Sequence, residues 1–295
     1  MPTYDIVVNP RANRGGSGAT LRQLERELAE RGAKFVVHHT KRPRQAADIA
    51  QRLVADGRRG PIVVVGGDGS IFDALGGIAG QDIPMGIIPA GTGNDVAIML
   101  GIPRDTSKAT DTLIRQRTSL VDHAIVNGRL RAISFVGYGI AAELVRGLQG
   151  FHTNNRINYF RAMLQKLYSF RAQRYNVRWE GPAGEGGQQG LLADFLSIHN
   201  CVNAGGGMHL CHEAKMDDGH QDLLIVEHRG MVRRLLNVLA VATKTLHFQP
   251  NVRIIPVTKV EIQSPNDTNC CIDGEIIHLD EISLEVVPAS ITVIH

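Results

Sequence analysis

Two short apolar runs that each end in a cluster of glycines constrain the fold of this chain most strongly. They are PIVVVGGDGS, at Pro61–Ser70, and PMGIIPAGTGND, at Pro84–Asp95. Continuous apolar runs of this kind are typical of parallel strands that are buried on both faces of a sheet. Glycine at the end of such a strand lets the backbone turn sharply and approach a ligand closely. Because ligands of open parallel sheets bind beyond the carboxyl ends of the strands, both turns are candidate binding sites.

The first part of the chain, up to about residue 120, alternates between strand and helix patterns. Further short apolar runs at Tyr4–Pro10 and Lys34–Thr40 predict two more strands. Apolar residues at helical spacing predict two intervening helices, marked by Leu21, Leu24 and Leu28 and by Ala46, Ile49 and Leu53. Strands that alternate with helices indicate a doubly wound α/β domain, which we assign to residues 1–122.

The second part of the chain reads mainly as antiparallel strands joined by Gly, Asn and Pro turns. The predicted strands are Leu120–Asn127, Ala132–Tyr138, Asn176–Glu180, Leu191–His199, Asp222–Glu227, Arg253–Ile262 and Ile282–Val287. Two helices are predicted at Ile157–Phe170 and Met231–Leu246, and the glycine-rich Gly181–Gly190 is predicted to be a mobile hairpin tip or loop. We assign residues 123–284 to this second domain, and about residues 285–295 are expected to return to the first.

Composition narrows the function classes. The net charge of +3, from 32 basic and 29 acidic side chains, is too small for a dedicated nucleic-acid-binding protein. No apolar stretch is long enough for a transmembrane helix, and the N-terminus lacks the basic region of a signal peptide. Cys201, His209, Cys211 and His212 lie close together, but they lack the paired spacing of a structural zinc site. Reduced, buried thiols in a cytoplasmic protein are the favoured interpretation, and metal ligation stays open as the alternative.

Two aspartates in the glycine turns point to a particular chemistry. Asp68 and Asp95 would repel a phosphate unless a divalent cation lay between them, so their presence suggests a Mg²⁺–nucleotide site. The alternative is that both side chains only cap turns, and Ser70 is equally open to a cap or a phosphate contact. Neither a P-loop motif nor a G-x-G-x-x-G fingerprint is present in the chain.

At these residues the sequence resembles the diacylglycerol-kinase catalytic-domain superfamily, especially its bacterial soluble lipid kinases. The resemblance covers nearly the whole chain. Its motifs are NPRANRGGSG (Asn9–Gly18), GGDGS (Gly66–Ser70), PAGTGNDVA (Pro89–Ala97), VNGR (Val126–Arg129), GGGM (Gly205–Met208), AKMDDG (Ala214–Gly219) and DGE (Asp273–Glu275). GGDG alone is a weak signal, whereas GGDG followed by GTGND and a late DGE is specific.

The resemblance implies an NAD-kinase-like α/β domain that binds ATP, covered by a β-sandwich domain, with a lipid hydroxyl acceptor between them. It implies a lipid kinase that uses ATP and Mg²⁺, with Glu275 as general base and with Asp68 and Asp95 acting through metal and substrate orientation. It also implies a second-domain Mg²⁺ site at Lys215, Asp218 and His220, where Lys215 contributes its backbone carbonyl. The nucleotide-binding residues that it implies are Asn9, Thr40, Gly66, Gly67, Asp68, Gly69, Ser70, Ile71, Phe72, Gly91, Thr92, Gly93 and Asn94.

The sequence departs from the family pattern at a few positions. Ser70 replaces a common threonine and keeps its hydroxyl, whereas Ala141 stands where the family often has aspartate, which puts an acidic role there in doubt. The segment before the DDG turn lacks its usual proline around His212. His220 replaces a commoner apolar or aromatic residue, which leaves a carbonyl ligand unaffected.

The expected partners are ATP and a lipid at a membrane surface, with transient membrane association of a cytoplasmic protein. Diacylglycerol, phosphatidylglycerol and a sphingoid base all satisfy the chemistry, and a homodimer stays open. The basic Phe151–Phe170 segment, with Arg156, Arg161 and Lys166, is the candidate for membrane contact. The alternative functions are a catalytically silent nucleotide- or lipid-binding regulator and a kinase of the same fold for NAD or a sugar phosphate.

Overall fold

The computed structural model describes residues 2–10, 16–42, 44–140, 142, 167–264 and 269–295. The elements of the first part are β1 (Thr3–Val8), α1 (Gly16–Glu30), β2 (Lys34–His39), α2 (Gln45–Ala55), β3 (Ile62–Gly66), α3 (Asp68–Ile78), β4 (Met85–Pro89), α4 (Asp95–Met99) and α5 (Thr106–Arg115). Those of the second part are β5 (Thr118–Val126), β6 (Leu130–Ala132), β7 (Phe135–Gly139), β8 (Gln173–Glu180), β9 (Gly186–His199), β10 (Asn203–Ala204), β11 (Met208–His209), β12 (Gln221–Glu227), α6 (Met231–Ala242), a 3₁₀ helix (Leu246–Phe248), β13 (Val252–Val257), β14 (Lys259–Gln263), β15 (Asn269–Ile272), β16 (Glu275–His278) and β17 (Glu281–Ile294).

The first part is the α/β layer that the apolar runs predict. Its strands pair in parallel in the order β2–β1–β3–β4. Both β3 and β4 are buried along their whole length, which explains why their sequences are continuously apolar. Helix α1 packs with α5, and α2 packs with α3. Because parallel strands all end at one edge, the loops after β1, β2, β3 and β4 meet there.

The second part is built from antiparallel strands with a hydrophobic core of its own. β9 is central to it, since it pairs with β8, β7 and β12. The core between its layers includes Tyr138, Tyr175, Leu196 and Ile225, all buried. The predicted fold class, an α/β domain followed by a β-rich domain, is therefore confirmed.

β17 joins the two parts into one extended sheet. Its first half pairs in antiparallel fashion with β14, and it runs beside β5 through both halves, with a bulge between Val287 and Ile291. Beyond the bulge, Val293 pairs in parallel with Met85 of β4. The domains are therefore connected by backbone hydrogen bonds, which restricts how far the cleft between them can open.

Several predicted segments have different bounds in the structure, and α4, α5, β15 and β16 were not predicted. Only residues 181–185 form the turn of the glycine-rich segment, because Gly186–Gly190 belong to β9 and pair with β8. Gly187 leaves room for the ring of Trp179, which lies opposite it on β8. The strand predicted at Arg253–Ile262 is two strands that meet at Thr258, where the chain changes from pairing with β12 to pairing with β8. α6 ends at Ala242, earlier than predicted, and a 3₁₀ turn follows.

Some expectations fall outside the described residues. They are the membrane-contact segment as far as Lys166, the predicted helix from Ile157, the role of position 141 and the Arg11–Gly15 part of the first motif. Among the residues that the structure describes, no helix is long and apolar enough to cross a membrane.

Candidate functional site

The predicted nucleotide-binding residues meet at one edge of the α/β sheet. Asn9 directly follows β1, Thr40 follows β2, Gly67 follows β3 and Gly91 lies two residues after β4. Thr92 and Gly69 are exposed there, and Ser70 is partly exposed. The tertiary structure therefore collects residues from four separate segments into a single surface.

The two glycine turns touch each other, and only glycine fits at the contact. A Cβ atom built on Gly67 would lie 2.9 Å from the Cα atom of Gly91, and one on Gly91 would lie 2.5 Å from the Cα atom of Gly67. Asn94 closes the second turn from within. Its Oδ1 accepts a hydrogen bond from the Gly91 amide and its Nδ2 donates one to the Gly91 carbonyl, both at 2.9 Å. Asn94 itself adopts a left-handed conformation with φ of 58°.

Asp68 links the same two turns. It is the first residue of α3, and its Oδ1 accepts a hydrogen bond of 3.1 Å from the backbone amide of Val96 in α4. A Cβ atom built on Gly93 would lie 3.1 Å from the other oxygen, Oδ2, and 2.9 Å from the Cα atom of Gly206. Gly93 therefore packs between the Asp68 carboxylate and a loop of the second domain.

Asp95 is bound by that second-domain loop. Its Oδ2 accepts a hydrogen bond of 2.8 Å from the backbone amide of Gly206. The loop carries three consecutive glycines with positive φ, Gly205, Gly206 and Gly207, a conformation that other residues adopt only with strain. Asp95 is buried, and burial is the main reason that its pKa is raised, with the negative charge of Asp68 adding to the effect. Its Oδ1 is buried without a hydrogen-bond partner.

Glu275 reaches the site from the other side. Asp273 and Gly274 both have positive φ and form the tight turn between β15 and β16, and Glu275 is the first residue after that turn. Its side chain is exposed and extends over the start of α3, so that a Cβ atom on Gly69 would lie 3.5 Å from Glu275 Oε1. The prediction that Glu275 lies in a loop or at a strand entry is confirmed, because Glu275 is the first residue of β16 in this hairpin.

Sequence reasoning missed Asp273, which sets the position of this hairpin. The carboxylate of Asp273 is buried and accepts hydrogen bonds from the backbone amides of Ile133, Ser134 and Phe135, at 2.8 to 2.9 Å. Burial raises the pKa of Asp273 to about 6, although the three amide donors oppose that rise. The DGE motif contains this residue, but a turn aspartate is usually solvated, so only the tertiary contacts identify its role.

Not every predicted nucleotide-binding residue presents its side chain to the site. Ile71 is buried in the core of the α/β domain. Phe72 packs against the core of the second domain. The Thr40 hydroxyl is buried and donates a hydrogen bond of 3.4 Å to the carbonyl of Val8. Any contact of the buried Ile71 with a ligand at the sheet edge is therefore limited to the main chain.

The predicted second-domain metal residues lie in the turn before β12. His220 Nδ1 is 3.3 Å from Asp218 Oδ1. The turn is held by the buried Asp122, which accepts a hydrogen bond from Gly219 at 2.7 Å and whose own amide donates to the carbonyl of Met216. Within the described ranges, no group of three or more His, Cys, Asp or Glu side chains is arranged to hold a metal ion. The ligand role of Lys215 depends on its carbonyl oxygen and stays a prediction.

The four cysteines lie in the protein interior as free thiols: Cys201, Cys211, Cys270 and Cys271. Burial raises the pKa of each thiol, for Cys271 to about 12, and so keeps these groups protonated. His212 stacks on His247, with ring centroids 4.2 Å apart.

Comparisons with known proteins agree with this architecture. Residues 4–126 match the model of the diacylglycerol kinase catalytic domain, and residues 134–295 match the model of the YegS C-terminal NAD kinase beta sandwich-like domain. Lipid kinase YegS of Escherichia coli (strain K12) is 29% identical over 302 aligned positions, which cover 99% of this chain and 95% of that protein.

Solved structures show the same fold. A crystal structure of a diacylglycerol kinase from Bacillus anthracis str. Sterne superimposes with a TM-score of 0.72 at 20% identity, covering 99% of this chain and 96% of that chain. A second crystal structure from the same bacterium gives a TM-score of 0.80 at 21% identity, covering 99% of this chain and 95% of that chain. With its two domains matched in order by these family models, the chain belongs to the diacylglycerol kinase catalytic-domain family, in the branch that carries the YegS-type C-terminal domain.

Proposed function

We propose that this protein is a lipid kinase that transfers the γ-phosphate of ATP to a hydroxyl group of a lipid such as diacylglycerol or phosphatidylglycerol. The observation that carries the proposal is the convergence of three carboxylates from separate segments. Asp68 and Asp95 come from the two glycine turns, and Glu275 comes from a hairpin of the second domain. Family membership and the similarity to a protein named lipid kinase YegS support the same reaction.

The glycine turns supply a surface for the nucleotide phosphates. At the start of α3, the exposed Gly69 carries no side chain that would block an approaching phosphate. Backbone amides at a helix start favour anionic groups. The contact of Gly67 with Gly91 fixes the two turns relative to each other, so that the phosphate-binding surface is rigid before ATP binds.

The donor set fits Mg²⁺. Asp95 Oδ1 is a buried carboxylate oxygen with no hydrogen-bond partner, and Asp68 Oδ2 faces the same junction. Hard oxygen ligands of this kind are those that Mg²⁺ prefers. Mg²⁺ bound by Asp68 and Asp95 would neutralise charge on the transferred phosphate. We propose that Lys215, Asp218 and His220 form a second Mg²⁺ site in the second domain, a proposal that rests on the family resemblance.

Glu275 has the position expected of a general base. Its carboxylate is exposed and lies over the start of α3, beside Gly69 of the proposed phosphate-binding turn. Phosphoryl transfer to an alcohol requires that the hydroxyl proton be accepted as the oxygen attacks phosphorus, and a positioned carboxylate does this. Asp273 acts on Glu275 only by fixing the hairpin, so it is a positioning residue.

The test is transfer of radiolabelled phosphate from ATP into a panel of lipid alcohols in mixed micelles that contain Mg²⁺. We expect label in one lipid class for the wild type, and a loss of about 10²- to 10⁴-fold for Glu275→Gln, because a general base contributes that much. Asp68→Ala should also lose transfer. Glu285→Gln is the matched control, since Glu285 is an exposed glutamate in the first half of β17, where it pairs with Lys259 of β14.

ATP binding is measured on the same variants by equilibrium dialysis. Full ATP binding by Glu275→Gln together with lost transfer supports the base role. Wild-type protein that binds ATP and labels no lipid would contradict the lipid kinase and favour the silent-binding alternative. Equal transfer by Glu275→Gln and the wild type would remove Glu275 from the mechanism.

A further inference from the structure

Helix α6 packs on the protein with a face that includes two polar residues, and it presents apolar residues to solvent. Its buried residues include Arg234 and Asn237, whereas Val232 and Leu239 are 74% and 60% exposed. Leu235 and Leu236, between them, are also exposed. A surface helix of a globular protein normally shows the opposite arrangement, with its apolar stripe toward the core. The amphipathic pattern of α6 is therefore suited to an apolar partner outside the molecule.

The orientation of α6 is fixed by specific buried contacts. Arg234 Nη2 donates a hydrogen bond of 2.6 Å to Asp194 Oδ1 in β9, and its Nη1 donates to the carbonyls of Leu167 and Phe170 at 2.8 Å. Because a buried guanidinium without these partners would be costly, the helix cannot rotate to bury its leucines without breaking them. The exposed apolar face is thus a stable feature of the fold.

A neighbouring aromatic residue extends the apolar face. Phe248, in the 3₁₀ turn after α6, is 75% exposed, and its ring lies 4.0 Å from that of His247. Leu246, two residues earlier, is buried and anchors the turn. Met208, in the strand that packs against α6, is also partly exposed. We define the docking face by these side chains: Val232, Leu235, Leu236, Leu239, Met208 and Phe248.

The charge around the docking face favours an anionic surface. The sequence contains no Asp or Glu between His228 and Val260, a stretch that includes Arg233 and Lys244, whereas Arg229 at its start pairs with Glu227. Arg233 contacts the neutral amide of Gln249 at 3.3 Å. Cations beside exposed apolar residues are typical of helices that lie in the interface of an anionic membrane.

The docking face is also connected to the candidate catalytic centre. α6 packs against β11, and β11 forms a hairpin with β10. The turn of that hairpin contains Gly206, whose amide binds Asp95. A lipid layer in contact with Met208 and α6 would therefore lie next to the loop that borders Asp68 and Asp95, close to where the acceptor hydroxyl must arrive.

We infer that this face of α6 inserts into the surface of an anionic lipid layer and holds the cleft at the membrane where its acceptor lies. The biological purpose of this membrane binding rests on the proposed lipid kinase activity. The binding itself can be measured whether or not the protein is a kinase. It places membrane contact on an apolar helix face of the second domain.

Flotation with vesicles of phosphatidylcholine and phosphatidylglycerol, without nucleotide, tests the inference directly. The variant is Val232→Gln with Leu239→Gln, which keeps good helix formers on the helix surface. The control is Val36→Gln with Leu120→Gln, because these are also an exposed valine and leucine but lie on β2 and β5. We expect the α6 variant to bind vesicles roughly tenfold more weakly or worse, with the control unchanged.

Other outcomes overturn the inference. The inference is wrong if the wild-type protein does not float with the vesicles, or if the two double variants bind vesicles equally well. It is also wrong if the wild type is a dimer that the α6 variant converts to a monomer while vesicle binding persists. The last result would assign the face to a second copy of the chain. Vesicle binding that depends on α6 in a protein without kinase activity would leave the inference standing and remove only the proposed function.

Discussion

The backbone amide of Gly206 donates a hydrogen bond of 2.8 Å to Asp95 Oδ2, and this contact joins a loop of the second domain to an acidic residue of the first. The two residues are separated by 111 positions in the chain. Asp95 is therefore oriented from outside its own domain. Because β17 also joins the domains by strand pairing, the carboxylates are held in place by the fold before any ligand binds.

The packing at this junction predicts a large effect for Gly93→Ala. The added methyl group would lie 2.9 Å from the Cα atom of Gly206, so one of the two loops must move. A displacement of about 1 Å at an active site costs about a hundredfold in rate, and we expect that loss in kcat/KM. Gly18→Ala is the control, since among the described residues its methyl group would meet only the end of the Arg22 side chain, at 3.6 Å. Equal activity of both variants would show that the junction does not need its tight packing.

The buried carboxylate of Asp273 predicts a larger loss of stability on substitution than that of the exposed Asp280. In Asp273→Asn, an amide N–H would face one of the three backbone amides that now donate to the carboxylate. We expect the free energy of unfolding to fall by about 1–3 kcal/mol, measured in urea. The exposed Asp280→Asn, at the end of the same hairpin, should change stability by less than about 0.5 kcal/mol. A fully stable Asp273→Asn would contradict the positioning role.

A hydrogen-bonded chain through His123 predicts that stability depends on pH. Arg131 lies 2.9 Å from His123 Nε2, and His123 Nδ1 lies 2.6 Å from Ser290 Oγ, which itself donates to the Val287 carbonyl. A neutral imidazole that accepts from Arg131 and donates to Ser290 satisfies every bond. Burial, assisted by Arg131, lowers the pKa of His123 to about 4.

The direction of the pH effect follows from that pKa. In the unfolded chain His123 has the ordinary histidine pKa of about 6.5, so below that pH the unfolded chain binds a proton that the folded protein does not bind. The free energy of unfolding therefore falls as the pH decreases from about 6.5 toward about 4. We expect a loss of about 1 kcal/mol at this site between about pH 7 and about pH 5.5. The measurement is urea unfolding of the wild type and His123→Gln at both pH values. The prediction fails if the variant loses as much stability as the wild type.

The buried ion pair between Arg234 of α6 and Asp194 of β9 predicts that the stability of the protein depends strongly on both residues. Arg234→Met leaves the Asp194 carboxylate buried without its closest cation, and we expect a loss of about 3–5 kcal/mol in the free energy of unfolding. Adding Asp194→Asn should recover part of that loss, because the uncompensated charge is removed. Arg229→Met should cost less than about 1 kcal/mol, since Arg229 pairs with Glu227 at an exposed position. Similar losses for Arg234→Met and Arg229→Met would show that burial of the pair is unimportant.

Much of the fold and part of the site could be predicted because they depend on local patterns. The apolar runs of β3 and β4 and the leucines of α1 predicted their elements, since period and burial are read directly from neighbouring residues. The glycine turns were predicted to lie at one edge because parallel strands share the direction in which they end. The role of Glu275 as general base was predicted from the family resemblance alone. Nothing in a D-G-E turn by itself distinguishes a carboxylate at an active site from one that is only solvated.

The sequence by itself therefore determined the elements with a clear apolar pattern, such as β3, β4 and α1, and which turns carry glycine and aspartate together. Only the tertiary structure decided that Gly206 binds Asp95, that Asp273 is buried beneath the Glu275 hairpin and that α6 packs with Arg234 inward. Each of these depends on contacts between residues far apart in the chain. Burial and hydrogen-bond partners decide whether a charge is solvated or structural, and both are set by packing that local periodicity does not encode.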